Sequence, residues 1–286
     1  MSDNALATVF YPQARNYIVE FLNSVSSQSN KNFILVIFNN GLKEIYSYLE
    51  DFQINFKVIE INEPPAFARA KMINYIKKNF KSVIFSDCDD LLDKNRVDLS
   101  LKKLGECDVV VNDLDLFNDN RTIHIEKYFS KRLRNKQKID INFLFDYNFM
   151  GMSNTATNTN TLNINLFPKN KNILAYDWFI WSQILLRKKK VIFYNKFTTK
   201  YRIHKNNVSA LFGRIDEKEM LKVIKIKKEH YLELKSLNEK YNIYSSTLNH
   251  LEKKLKNPIT KNEYIQLINS NINEFPFWWE KVTTKI

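Results

Sequence analysis

Glycine and cysteine are scarce in this chain of 286 residues, which contains 4 Gly and 2 Cys. The cysteines, Cys88 and Cys107, lack the paired spacing of a zinc site and suggest no disulfide framework. Residues 10–15, the region that would follow a first strand, contain neither Gly nor Lys. A nucleotidyltransferase usually has a Gly-rich loop and a Lys there to hold a triphosphate. The sequence therefore disfavours that class, which we keep only as an alternative.

Long apolar runs are also missing. No stretch approaches the 18 consecutive apolar residues that suggest a membrane-spanning helix. Residues 1–8 contain no basic segment followed by an apolar run, so we expect no signal peptide. These absences predict a cytoplasmic protein, either soluble or attached peripherally to the inner face of the cell membrane.

Acidic residues are outnumbered by basic ones, because 44 Lys and Arg stand against 31 Asp and Glu and give a formal net charge of +13. This excess favours acidic partners: nucleic acid, an anionic membrane or phosphate-bearing small molecules. A nucleic-acid-binding module would interleave aromatic and basic residues on a sheet face. The aromatics here stand mostly in apolar runs, so no nucleic acid is expected, and a non-enzymatic polyanion-binding module is a second alternative.

The first 112 residues alternate between two hydrophobic periods. Short apolar runs typical of buried strands alternate with segments whose apolar residues recur at helical spacing. This alternation predicts an α/β fold with a mostly parallel sheet flanked by helices. In such a sheet, ligands bind at the carboxyl ends of the strands. The predicted strands cover residues 33–38, 56–61, 83–85 and 108–112, and the predicted helices cover 17–25, 66–79 and 96–104.

The rest of the chain is less regular. A polar segment over residues 151–163 predicts a loop, in which Thr155 to Thr161 is a candidate mobile loop. A helix over 176–190 and a short strand over 191–194 follow. The end of the chain is predicted to be basic and helical, with an aromatic cluster from Phe275 to Trp279. That region either binds an anionic membrane surface or packs as a helical appendage.

Three acidic residues directly follow the strand predicted over 83–85, in the stretch Ser86-Asp87-Cys88-Asp89-Asp90. Alternation places Asp87 and Asp89 on one side, with Cys88 on the other. Two converging carboxylates favour a cation between them, and Mg²⁺ or Mn²⁺ would complete its coordination with phosphate oxygens and water. The alternative is a solvated turn before the next helix. Asp113 and Asp115 have the same spacing and form a second candidate pair.

Four further residues are candidates for binding or catalysis. Arg69 begins a predicted helix, where an anionic phosphate is favoured, or it is an ordinary surface residue. Asp177 lies among aromatic residues and either caps a helix or is a general base whose pKa is raised by burial. Arg202 and His204 share a face, which suits phosphate binding and metal ligation.

These segments occur in an order that resembles the family 2 glycosyltransferases, which have the GT-A fold. The resemblance covers roughly residues 7–210 and implies an α/β, Rossmann-like sheet with a helical C-terminal appendage. The segments that carry it are Tyr17 to Gln28 (YIVEFLNSVSSQ), Phe33 to Gly41 (FILVIFNNG), Ala66 to Ile76 (AFARAKMINYI), Val83 to Leu92 (VIFSDCDDLL), Tyr176 to Leu185 (YDWFIWSQIL) and Tyr201 to Asn207 (YRIHKNN).

The resemblance implies a main domain over residues 1–213 and a basic helical region over 214–286. Within the main domain, residues 1–112 would bind the nucleotide, and residues 113–213 would bind the acceptor and carry the catalytic base. Asp177 would be that base, which removes the proton from the acceptor hydroxyl. Arg69 would lie near the nucleotide.

The implied metal site consists of Asp89, Asp87 and His204, where Asp87 would contact the metal or the ribose and the ion would be Mn²⁺ or Mg²⁺. Arg202 would approach the diphosphate. Tyr11 is a further implied contact to the donor, in a segment that departs from the family's usual Thr-Tyr-Asn.

Asn39 is the last implied contact to the donor. It stands in Asn39-Asn40-Gly41, where the family usually has Asp-Asp-Gly. An Asp there accepts the imide hydrogen of uracil, whereas an Asn carries both an acceptor and a donor and could also meet cytosine or guanine. The family usually has an Asn after this Arg, whereas Ala70 follows Arg69 in this chain.

The implied activity is metal-dependent transfer of a sugar, with inversion, from a nucleotide-sugar donor to a glycan or lipid-linked acceptor. A UDP-sugar is the default donor. The resemblance is to members that build bacterial surface polysaccharides, such as capsule, lipopolysaccharide or O-antigen.

Overall fold

The structure is a computed structural model that describes residues 2–120, 122, 124–204, 214–270 and 277–282. Its helices and strands alternate over the first half of the chain, and helices predominate at the end. In chain order they are β1 Asn4–Phe10, α1 Ile18–Ser26, β2 Ile34–Asn39, α2 Ile45–Leu49, β3 Phe56–Glu60, α3 Pro65–Asn79, β4 Ser82–Phe85, β5 Leu91–Leu92, α4 Arg96–Leu104, β6 Val109–Phe117, β7 His124–Ile125, β8 Gln137–Ile139, β9 Thr155–Asn158, α5 Tyr176–Leu186, β10 Val191–Arg202, α6 Glu217–Leu234, α7 Lys240–Lys254, α8 Pro258–Ser270 and α9 Trp278–Lys281.

One large sheet organises these elements. Its strand order is β3-β2-β1-β4-β9-β6-β10-β5, with β7 added to β6 and β8 added to β10. The strands β1, β2, β3 and β4 pair in parallel, and so do β6 and β10. Central strands such as β4 are buried along their whole length, because apolar clusters cover both faces of the sheet. The expected α/β fold with a mostly parallel sheet flanked by helices is therefore confirmed.

Two strands are longer than the sequence pattern predicts. The strand expected over 108–112 continues to Phe117, and the one expected over 191–194 continues to Arg202. The two pair along their length, with an irregularity between Tyr194 and Thr198. Asp113 and Asp115 consequently lie inside β6, whereas the strand predicted over 108–112 would end before them, and that predicted end is wrong.

The polar segment over 151–163 is not a simple loop. Thr155–Asn158 forms β9, which pairs antiparallel with both β4 and β6 and lies in the middle of the sheet. Thr155 and Thr157 are fully buried, and the Thr157 hydroxyl donates to the Asp108 carbonyl at 2.9 Å. The mobile loop predicted over Thr155 to Thr161 is wrong because backbone pairing and hydroxyl bonds satisfy these polar residues inside the sheet.

The C-terminal helices pack on the sheet domain. Lys227 of α6 is fully buried, and its ammonium donates to Asp146 Oδ1 at 2.7 Å. Burial lowers the pKa of Lys227, and the Asp146 carboxylate opposes that effect. A buried ion pair of this kind ties α6 to the domain, because losing either partner would leave an uncompensated buried charge.

Two aromatic residues near the end of the chain are packed inside the protein. Phe275 lies outside the described residues, whereas Phe277 and Trp279 are buried and stack with ring centroids 4.4 Å apart. Phe277 also meets the rings of Tyr128 and Tyr201 at 5.3 and 5.7 Å. These two aromatics thus fill an internal core. Within the described residues, no helix has the length and apolar character needed to cross a membrane.

Phe277→Ala should destabilise the fold by about 3–5 kcal/mol, the usual cost of truncating a buried Phe. Urea denaturation measures this loss, and Leu267→Ala, at a side chain that is 59% exposed, is the control. A change below about 0.5 kcal/mol at Phe277 would contradict the packed arrangement, because that is the range of ordinary surface substitutions.

Candidate active site

Four polar residues lie in a row at the carboxyl edge of the parallel strands. Glu60 ends β3, Asn39 ends β2, Tyr11 follows β1, and Asp87 follows β4. Because these four strands are neighbours in that order, the side chains line one edge of the sheet. This edge is where ligands bind in open α/β sheets.

Asp89, in the turn after β4, has two side-chain partners on one oxygen. Tyr11 donates its hydroxyl to Asp89 Oδ2 at 3.0 Å, and His204 Nε2 lies 3.0 Å from the same atom. Burial, followed by the charge of Asp89, raises the pKa of Tyr11, so its hydroxyl remains a donor. The ring of Tyr17 lies beside His204, with centroids 4.9 Å apart.

These groups fit a divalent cation as a pair of ligands. A carboxylate oxygen and an imidazole nitrogen lie side by side, and Mg²⁺ or Mn²⁺ needs few protein ligands when a diphosphate supplies others. Among the described residues, no cluster of three His, Cys, Asp or Glu side chains forms a complete site. Asp89 and His204 would therefore hold the ion together with the substrate, and the roles of both remain predictions.

Asp87, two residues before Asp89, is bound to Arg69. Arg69 donates to Asp87 Oδ1 at 2.8 Å, and both side chains are 28% exposed. The Asp87 backbone N–H donates to Ser153 Oγ at 2.9 Å. Burial raises the pKa of Asp87, while the Arg69 guanidinium opposes this shift. Asp87 and Asp89 thus have different hydrogen-bond partners, which are Arg69 for Asp87 and Tyr11 and His204 for Asp89.

Asp177 lies in the first turn of α5 and is partly buried. Its Oδ1 accepts from Asn148 Nδ2 at 3.2 Å and from the Trp178 backbone N–H at 2.9 Å. Burial raises the pKa of Asp177, and the charge of nearby Arg69 acts in the opposite direction. A carboxylate with one bound oxygen and a raised pKa is suited to accept a proton.

Arg202 is buried at the end of β10 and holds the acidic turn. Its backbone N–H donates to Asp90 Oδ1 at 2.8 Å, and its Nε donates to the Asp89 carbonyl at 2.9 Å. The two remaining guanidinium nitrogens pair with Glu20 and Asp119.

The guanidinium of Arg202 also lies between two rings, 4.7 Å from the centroid of Tyr17 and 4.6 Å from that of Phe117. Its nitrogens are already committed to protein groups, so in this state it positions the acidic turn. An approach of Arg202 to a diphosphate, which the sequence suggests, would require it to exchange Glu20 or Asp119 for phosphate. The remainder of its motif, Lys205 to Asn207, lies outside the described residues.

The second candidate pair has a structural role. Asp113 is fully buried, and its carboxylate accepts the backbone N–H groups of Leu114, Phe129 and Ser130 at 2.9, 2.7 and 3.1 Å. Asp115 accepts from the Lys127 backbone N–H and the Thr198 hydroxyl, both at 2.8 Å. These carboxylates hold the turn over 128–131 against the sheet.

Asp113→Ala should destabilise the protein by about 3 kcal/mol, because it leaves buried N–H groups without an acceptor. Urea denaturation measures the loss. Calorimetry of UDP binding with Mn²⁺ at low temperature should give a Kd close to that of the wild type. If the variant instead lost binding at unchanged stability, the structural role would be wrong.

Several site residues were missed in the sequence. Their roles depend on contacts between distant segments, and none was singled out from a motif: they are Glu20, Glu60, Asp119, Asn148 and Ser153. The bond between Ser153 and Asp87, for example, joins residues 66 positions apart. The strand predicted over 56–61 could have indicated only that Glu60 lies near a strand end.

Two curated proteins are similar to the chain in sequence. An uncharacterised glycosyltransferase of Rickettsia bellii is 35% identical over 95 residues, which make up 32% of this chain and 14% of that protein. Glycosyltransferase GlyA of Streptococcus pneumoniae is 24% identical over 222 residues, or 72% of this chain and 32% of that protein. The chain therefore spans less than a third of the length of either relative. No model of a known protein family matches it.

Solved structures with a similar fold are also glycosyltransferases. Residues 1–349 of Staphylococcus aureus TarS, in complex with UDP-GlcNAc, align with a TM-score of 0.60 and 16% identity over 81% of this chain and 67% of that chain. The mannosyltransferase PcManGT of Pyrobaculum calidifontis, in complex with GDP-Man and Mn²⁺, aligns with a TM-score of 0.55 and 13% identity over 80% of this chain and 63% of that chain.

These findings confirm the resemblance to glycosyltransferases. The sheet, its order and its flanking helices are of the GT-A type. The chain is thus similar in sequence to proteins named glycosyltransferases and has a fold similar to that of solved glycosyltransferases.

Proposed function

We propose that this chain transfers a sugar from a nucleotide-sugar donor to a hydroxyl group of an acceptor. The observation that carries the proposal is the contact of Asp89 with His204 at the sheet edge, beside the Arg69–Asp87 pair. This arrangement combines two ligand atoms for a cation with a guanidinium, as a bound diphosphate would require. The sequence relatives are named glycosyltransferases, which supports the same activity.

Asp177 is the proposed catalytic base. The acceptor hydroxyl gives its proton to Asp177 and forms a bond to the anomeric carbon, while the bond from that carbon to the diphosphate oxygen breaks. Attack from the face opposite the diphosphate inverts the anomeric configuration. Asn148 fixes the carboxylate through its amide, so Asp177 keeps its orientation before the acceptor arrives.

The leaving diphosphate is the part of the donor that needs electrostatic stabilisation. Arg69 supplies a positive charge next to Asp87, and its guanidinium can hydrogen-bond phosphate oxygens. A divalent cation on Asp89 and His204 would neutralise further negative charge on the diphosphate. Either Mn²⁺ or Mg²⁺ suits these ligands, and the mannosyltransferase PcManGT was solved in complex with Mn²⁺.

For the donor and the acceptor we propose classes of compound. A UDP-sugar is the first candidate, since the TarS structure contains UDP-GlcNAc, while the GDP-Man complex makes a GDP-sugar the second. The acceptor is a glycan or a lipid-linked glycan of a bacterial surface polysaccharide. The net charge of +13 suits an acidic acceptor or the anionic membrane that carries it.

A screen of UDP-, GDP-, dTDP- and CMP-sugars with Mn²⁺ tests the proposal. One sugar nucleotide at 100 times its Kd should stabilise the protein by about 2.7 kcal/mol, which raises its melting temperature visibly. The same compound should be hydrolysed slowly without acceptor. Failure of every sugar nucleotide to bind, together with salt-dependent binding of RNA or DNA, would contradict the proposal in favour of a polyanion-binding module.

A further inference from the structure

The carboxylate of Glu60 is oriented by Asn39 on the neighbouring strand. These residues are register partners at the ends of β3 and β2. Asn39 Nδ2 donates to Glu60 Oε1 at 3.0 Å and to Oε2 at 2.8 Å, and also to the Leu42 carbonyl at 2.8 Å. Asn39 Oδ1 accepts the Leu42 backbone N–H at 3.0 Å. The Asn39 amide is buried, and each of its polar atoms has a partner.

This arrangement makes Glu60, and not Asn39, the residue available to bind a ligand at this edge. Both amide hydrogens of Asn39 are engaged within the protein, so Asn39 has no donor left to offer. Glu60 is exposed, and among the described residues no Lys or Arg lies within 4.0 Å of its carboxylate. A carboxylate has about four acceptor positions, so contact with one amide leaves acceptors that face solvent.

Glu60 also lies where the far end of a nucleotide would reach. Three strand spacings separate β3 from β4, which amounts to roughly 14 Å at about 4.8 Å per spacing. With the diphosphate near Arg69 and Asp89, an extended nucleotide that follows the edge past Tyr11 directs its base towards Asn39 and Glu60. The edge therefore carries phosphate-binding groups at one end and an oriented acceptor at the other.

We propose that Glu60 reads the base of the donor and that Asn39 is its positioning residue. This inference rests on the proposed function and narrows its substrate class. A carboxylate accepts a ring N–H, which uracil, thymine and guanine present on their pairing edge. Cytosine and adenine present a ring-nitrogen lone pair at the corresponding position, which the carboxylate repels. The donor base is therefore a uracil, thymine or guanine. The acidic group that contacts it is Glu60 on β3, since position 39 on β2 is an Asn.

Calorimetry with UDP, GDP, dTDP, CDP and ADP in the presence of Mn²⁺ tests this assignment. The wild type should bind UDP, GDP or dTDP at least about 10-fold more tightly than CDP and ADP, as expected for a hydrogen bond to a charged group. Glu60→Gln should weaken the preferred nucleotide by about 10-fold or more and reduce its advantage over CDP. Glu50→Gln, at an exposed residue after α2, is the matched control and should change neither value.

Inorganic pyrophosphate with Mn²⁺ separates the two proposals, because it reaches the phosphate groups without a base. Glu60→Gln should bind pyrophosphate as the wild type does. If Glu60→Gln bound every nucleotide like the wild type, or if CDP or ADP were preferred by the wild type, the base assignment would be wrong while the proposed function stood. If the wild type bound neither pyrophosphate nor any nucleotide, the proposed function itself would fail.

Discussion

Asp177→Asn should lower the rate of sugar transfer by about 10³-fold, within the range that a general base contributes. The amide keeps the shape of the carboxylate and can still accept from Asn148 and from the Trp178 backbone N–H. The variant loses only the ability to take the acceptor proton. Its Kd for the nucleotide should stay within about twofold of the wild-type value, because the cation ligands and Arg69 are unchanged.

The control for Asp177→Asn is Asp51→Asn, at an exposed residue between α2 and β3, which should keep the full rate. A pH profile adds an independent readout. Because burial raises the pKa of Asp177, the wild-type rate should fall as the pH drops through a value above the usual range of an Asp. Wild-type turnover by Asp177→Asn would remove this residue from the base role.

The sheet was predictable from local pattern because its strands are buried on both faces. The apolar run from Phe33 to Phe38 predicts a strand without any tertiary knowledge, and β2 covers Ile34–Asn39. In contrast, β9 contains two Thr, one Ala and one Asn, and it forms a strand only because β4 and β6 supply partners on both sides. Its polar side chains donate to backbone carbonyls, which no hydropathy pattern reveals.

The candidate site likewise contains residues that the sequence predicts and contacts that it does not. The sequence predicted Asp87, Asp89 and His204 from motif order, and the structure brings Asp89 and His204 together at 3.0 Å. The sequence could not predict that Asp87 pairs with Arg69, since that contact depends on how α3 is placed relative to the end of β4. Nor could it predict that Arg202 is held by Glu20, because the two residues lie 182 positions apart.

Asp89→Asn should weaken Mn²⁺-dependent binding of UDP by about 100-fold or more. The cation stabilises the bound diphosphate by several kcal/mol, and the variant lacks the charged ligand that holds the cation. The amide can still accept from Tyr11, so the turn keeps its main contact. Calorimetry of UDP with Mn²⁺, and then with a chelator, measures the effect. In the chelator the variant and the wild type should bind UDP equally weakly.

Urea denaturation separates loss of a cation ligand from loss of the fold. The amide oxygen of the variant can accept from Tyr11 and His204, as Asp89 Oδ2 does, so Asp89→Asn should unfold at a urea concentration close to that of the wild type. Asp51→Asn, at an exposed residue between α2 and β3, is the matched control for both measurements. If Asp89→Asn kept its Mn²⁺-dependent affinity, the cation would have to bind elsewhere, and the role of Asp89 would be limited to holding Tyr11 and His204.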